Sequence, residues 1–107
     1  MAKVRQAEIW WADLPPPAGR RPVLILTRSD ALEYVSNVTV APLTRMVRHV
    51  DSEVVLSPDQ GLPSVCAVSL DNILTIRKEL LDRRLARLGT DTMLEVFDAL
   101  RFAFAMP

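Results

Sequence analysis

The side chains best suited to chemistry in this chain are a small polar set. Arg20 and Arg21 stand just before an apolar block, Thr44 follows a β-branched run, and Asp71 interrupts an otherwise apolar stretch. A guanidinium offers a planar fork of donors that matches phosphate oxygens and keeps its charge at any physiological pH. Arg21 is the better held of the two arginines, because Pro22 biases the residue before it towards an extended backbone. A carboxylate such as Asp71 can accept a proton, and a threonine hydroxyl can donate a hydrogen bond. Each has a plainer reading as well: the arginines can solvate a loop, and Asp71 can accept backbone N–H groups at a strand kink. The basic segment Arg45-Met46-Val47-Arg48-His49 adds Arg45 and Arg48 as phosphate contacts, with His49 read as a surface residue. Trp10 or Trp11 could stack a base, and because neighbours on a strand point oppositely, the other belongs to the core. No phosphate-binding glycine loop, nucleophile elbow, dinucleotide fingerprint or paired metal-ligand spacing occurs, so the familiar enzyme signatures are absent.

These residues need a frame. A chain of 107 residues, 50% hydrophobic and 24% charged, with three Gly and eight Pro, fits one folded domain spanning 1–107 rather than a disordered or collagenous segment. Its longest charge-free stretches, Tyr34–Thr44 and Gln60–Leu70, are too short to cross a bilayer, so a soluble, cytoplasmic protein with no membrane partner is expected. Cys66 stands alone and cannot form an internal disulfide. Basic and acidic groups cancel at thirteen each, but residues 1–50 hold seven basic groups against four acids.

Strands are predicted over Ala7–Leu14, ending at Pro15-Pro16-Pro17, and over Arg21–Thr27, whose continuous apolar run suits the centre of a sheet. Ser29 is placed to cap a short turn. A third strand over Val38–Ala41 is expected to stop at Pro42, and a fourth runs over Ser52–Leu56 into the turn residues Ser57–Gly61. Val65–Leu70 and Ile73–Ile76 follow, with Asp71-Asn72 as a kink or part of one bent strand. Residues 80–88 read equally as a helical turn or a short strand. From Met93, the residues Val96, Phe97, Leu100 and Phe104 follow helical spacing, with Thr90 as N-cap. The expected fold is mostly β with a C-terminal α-helix, antiparallel and barrel-like.

The succession Glu8-Ile9-Trp10-Trp11-Ala12-Asp13-Leu14, Gly19-Arg20-Arg21-Pro22-Val23-Leu24-Ile25-Leu26, Val40-Ala41-Pro42-Leu43-Thr44 and Val68-Ser69-Leu70-Asp71-Asn72-Ile73-Leu74-Thr75-Ile76 resembles the MazF/PemK family of toxin endoribonucleases over nearly the whole chain. That resemblance implies a small antiparallel SH3-like β-barrel of the MazF/PemK/CcdB toxin type and a homodimer. It implies sequence-specific cleavage of single-stranded RNA to 2′,3′-cyclic phosphate and 5′-OH ends, with neither a metal nor a cofactor required, which inhibits growth until a cognate antitoxin neutralises it. It gives Arg21, Thr44 and Asp71 catalytic roles, and sets Glu8, Trp10, Arg20, Arg45, Arg48 and Ser69 along the RNA path.

The chain departs from the family pattern in three places. The loop Pro15–Ala18 is short and lacks the Glu-Gln pair that many relatives carry before the glycine. Ser69 stands where some members have a catalytic arginine, and Leu74 replaces a common basic residue. Two other readings keep the same fold: a toxin that acts by binding a protein, as a gyrase poison does, or, consistent with Ser69 and Leu74, a member that binds RNA or antitoxin without cutting.

Overall fold

The computed structural model describes residues 3–107, so Met1 and Ala2 of the expected domain lie outside the described residues. Seven strands and one helix follow in order: β1 (Glu8–Asp13), β2 (Arg20–Ile25), β3 (Asn37–Thr44), β4 (Glu53–Leu56), β5 (Cys66–Ser69), β6 (Leu74–Arg77), β7 (Leu81–Arg87) and α1 (Thr90–Ala103). Every pairing is antiparallel. The sheet runs β4-β5-β3-β2-β1-β7, with β6 also on β3. Its end strands β4 and β7 do not pair with each other, so the expected barrel is a curled sheet that stays open.

The apolar run in β2 is explained by two cores, one on each face of the sheet. Val23 and Ile25 pack with Trp10, Val38 and Val40, while Leu24 between them packs with Ile9, Ala41 and Leu43. Because successive side chains alternate faces, a strand walled by core on both sides must be apolar throughout. Helix α1 covers the second of these cores through Met93, Val96 and Ala99. Phe104, expected on that face, is 54% exposed, because the helix ends at Ala103 and the chain turns away.

Several boundaries differ from the sequence reading. The strand through Pro42 does not stop there. Leu26 N–H donates to Thr39 O at 2.9 Å, so odd residues of β3 face β2 and even ones face the opposite edge. On that edge β6 covers Asn37–Val40 and β5 covers Leu43–Thr44, so the N–H that Pro42 lacks would fall where one neighbour gives way to the other. Ser29 does not cap its turn; its Oγ accepts the Gln6 N–H at 2.9 Å. Gly89, not Thr90, is the N-cap of α1. Leu70–Asn72 form a 3₁₀ turn that separates β5 from β6, and residues 81–87 are strand. Gly19, at φ +67°, supplies the left-handed backbone that turns the Pro15–Ala18 loop into β2.

Candidate active site

Pro22 opens the site. The β2–β3 ladder holds Ile25 opposite Val40, Leu24 opposite Ala41 and Val23 opposite Pro42, then ends. Even residues of β2 turn their backbone towards β3, as Leu26 does, and the next even residue is Pro22, which has no N–H for Leu43. The strands part at that point, while on its other edge β3 stays paired with β5, Thr44 opposite Ala67. Continuing the register, Arg21 and Thr44 lie opposite one another across the parting.

A cleft of about 350 Å³ forms there. Its polar lining is Arg21, Thr44, Arg48, Glu53, Ser69 and Asn72, set around the apolar Leu14, Ala18, Pro42 and Leu74. Glu53 is opposite Ser69, and the same row of the sheet continues through Pro42 to Val23, so these side chains share one face.

Arg21 is half-buried, and its Nε donates to Ala18 O at 3.2 Å. Its two Nη groups carry no hydrogen bond or ion pair among the described residues and remain available as a fork of donors. Thr44 Oγ1 accepts the Met46 N–H at 3.1 Å, which leaves the hydroxyl proton free to donate. Ser69, buried, accepts from Asn72 Nδ2 at 2.8 Å at the cleft wall. Arg48 reaches the cleft from the 45–50 loop, and its backbone N–H donates to Glu53 Oε1 at 2.9 Å.

The other sequence candidates lie elsewhere. Asp71 does not line the cleft; it sits on the 3₁₀ turn and accepts from Ser52 Oγ at 2.5 Å, while its neighbour Asn72 faces the cleft. Glu8 and Trp10 are 2% and 3% exposed, too enclosed to meet RNA. The Glu8 carboxylate accepts from Arg5 N–H, Trp10 Nε1 and Arg84 Nη1, and alternation along β1 turns Trp10 inward. Trp11 is the half-exposed tryptophan. Arg20 lies over its ring, 5.3 Å from the centroid, and is tied by ion pairs to Asp13 at 2.9 Å and Asp82 at 2.5 Å. Asp82 and then Asp13 hold the Arg20 guanidinium above its ordinary pKa, and each takes one donor from a different Nη. Arg45 follows Thr44 by one residue and so faces the other side of the sheet, where it lines a second concavity with Trp11, Arg20 and Pro22. His49 is exposed and outside the cleft.

Glu53 and Asn72 are the polar cleft residues that the sequence reading missed, and Glu53 is the charged one. Its strand was legible, but its face became visible only once Ser69 was known to be its partner. Cys66 is buried, which pushes its thiol above the usual range despite the opposing field of Arg45, so it is held as a neutral thiol. Among the described residues no three His, Cys, Asp or Glu side chains converge as a metal-ligand set would, and no helix is long and apolar enough to cross a membrane.

Comparison with known proteins adds relatives of the same length. The profile of PemK-like, MazF-like toxins of type II toxin–antitoxin systems matches residues 5–104. The probable endoribonucleases MazF2 and MazF5 of Mycobacterium tuberculosis are 37% and 36% identical over 99 residues, which is 92% of this chain and 95% and 90% of theirs. Among solved structures, the Mycobacterium tuberculosis toxin MazF-mt6 superposes with a TM-score of 0.87 at 36% identity, covering 94% of this chain and 98% of that one. A mycobacterial endoribonuclease in complex with its cognate antitoxin superposes with a TM-score of 0.86 at 26% identity, covering 97% of each chain.

Proposed function

The chain belongs to the family of PemK-like, MazF-like toxins of type II toxin–antitoxin systems and is an endoribonuclease; we propose that it cuts single-stranded RNA at short sequence motifs without a metal ion, as a cytoplasmic homodimer of one domain over residues 1–107. The observation that carries this reading is that Arg21 and Thr44 line one cleft. In the reaction, the ribose 2′-oxygen bonds to the adjacent phosphorus and the bond from phosphorus to the 5′-oxygen breaks. The products are a 2′,3′-cyclic phosphate and a 5′-OH end. The nucleophile belongs to the substrate, so the protein's task is to stabilise charge and move protons. The free Nη groups of Arg21 donate to the non-bridging oxygens as negative charge grows, and the Thr44 hydroxyl donates alongside. Arg48 holds a flanking phosphate, and Ser69 lends a hydroxyl to the wall.

A cognate antitoxin is the proposed partner, with an acidic, flexible segment that occupies the cleft and neutralises Arg21 and Arg48. The solved complex of a relative with its antitoxin supports this part. The exposed apolar side chains Leu94, Phe102, Phe104 and Met106 of the C-terminal region support self-association.

Purified protein is expected to cleave single-stranded RNA in EDTA and leave cyclic phosphate ends. Arg21→Ala should lower the rate by ~10²–10³ with an unchanged circular dichroism spectrum and melting temperature. Intact RNA across a broad panel of sequences, or an Arg21→Ala variant as active as the wild type, would overturn the reading.

A further inference from the structure

Proton removal from the 2′-hydroxyl needs a base, and the cleft contains a single side chain suited to it. Among the described residues that line the cleft, Glu53 is the one carboxylate, and none is a histidine. The remaining polar groups are guanidinium, hydroxyl and amide, none of which takes a proton readily near neutral pH. Asp71 is engaged by Ser52 outside the cleft. Building on the endoribonuclease reading, we propose that Glu53 is the general base that accepts the 2′-hydroxyl proton.

The carboxylate is held for that task. Oε1 accepts the Arg48 N–H at 2.9 Å, and Glu53 N–H donates to Val50 O at 3.0 Å, which fixes the side chain against the 45–50 loop. Oε2 has no hydrogen-bond partner among the described residues and is free to meet a ligand. Across the sheet, β4 and β2 are separated by β5 and β3, so Glu53 stands roughly 14 Å at the backbone from Val23, the residue of β2 in its row, at ~4.8 Å per strand, and Arg21 lies two residues further along β2. The side chains of Glu53 and Arg21 share one face, with the cleft between them. A base on one wall and a cation on the other suit a displacement in which one oxygen arrives at phosphorus as another leaves. Other charged groups also face Glu53: Arg21 and Arg48 in the cleft, and Asp51, Glu95 and Asp98 in the groove on its far side, the last two from α1.

In the step, the Glu53 carboxylate takes the 2′-hydroxyl proton as the oxygen bonds to phosphorus. The bond to the 5′-oxygen breaks, that oxygen takes a proton from water, and the resulting hydroxide is neutralised by the proton that Glu53 releases. No oxidant or further reactant is needed.

The test compares the wild type with Glu53→Gln, which keeps an acceptor for the Arg48 N–H, and with Glu53→Asp, which keeps a carboxylate. Single-turnover cleavage of an RNA that the wild type cuts should fall by ~10²–10⁴ in Glu53→Gln. Affinity for the same oligonucleotide with a 2′-O-methyl group at the cleavage position should stay unchanged. The acidic limb of the wild-type pH–rate profile should disappear in Glu53→Gln and persist, at lower rate, in Glu53→Asp. A Glu53→Gln variant with the wild-type rate and profile overturns the proposal, as does a loss of rate matched by an equal loss of affinity. Wild-type protein that cuts no RNA overturns the endoribonuclease reading itself, and this inference with it.

Discussion

Glu8 accepts three hydrogen bonds where almost no solvent reaches it: from the Arg5 backbone at 2.8 Å, from the Trp10 indole at 3.0 Å and from Arg84 at 3.2 Å. Removing the carboxylate strands a buried indole N–H and a backbone N–H, each worth ~1–3 kcal/mol when left unpaired. Glu8→Ala should therefore destabilise the protein by about 2–4 kcal/mol, measured by urea unfolding, while any folded fraction keeps its cleavage rate. An unaltered unfolding midpoint would return Glu8 to the RNA path. The types Glu-Ile-Trp-Trp identify a strand, and alternation says that the two tryptophans part company. Which of them faces in depends on the strands either side, and the sequence alone carries no sign of that. The same holds for Asp71 and Glu53. Both are acids beside apolar residues, and only the pairing of Glu53 with Ser69 selects the one that faces the cleft.

At the level of elements, the strands were legible where apolar and β-branched runs meet turn residues, and the helix where the period changed. The prolines were harder to read. Pro42 looks like a stop because a missing N–H breaks a ladder, yet β3 passes through it where its neighbours change from β6 to β5. Pro22 looks like a stiffener for Arg21, and its larger effect is to end the β2–β3 ladder and let the cleft form. Restoring the N–H tests this. Pro22→Val should let the strands pair one step further, giving residue 22 an amide protected from hydrogen exchange. It should leave global stability close to the wild type and reduce RNA cleavage by narrowing the parting. Full activity with a protected amide would show that the parting does not matter.

For the molecule as a whole, zero net charge conceals a cleft in which, among the described residues, two arginines without ion-pair partners, Arg21 and Arg48, face one carboxylate. Arg20, which adds to the basic count of the N-terminal half, is neutralised by Asp13 and Asp82. If the two cleft arginines meet two phosphates, the logarithm of affinity should fall with the logarithm of salt at a slope of about −1.4 per cleft, from ~0.7 per phosphate on single strands. A slope several times steeper, measured with the 2′-O-methyl oligonucleotide, would mean that the phosphate track extends beyond the cleft, across Arg45. Arg21 and Thr44 border concavities on both sides of the sheet, one towards Ser69 and Leu74, the other towards Trp11 and Arg45. A lone nucleotide strand can bend to seat one linkage against the residues that these two concavities share, whereas a stacked duplex is too stiff and too broad to bring its backbone there without first coming unzipped. Hairpin stems would then escape this enzyme by their girth, whatever letters they spell.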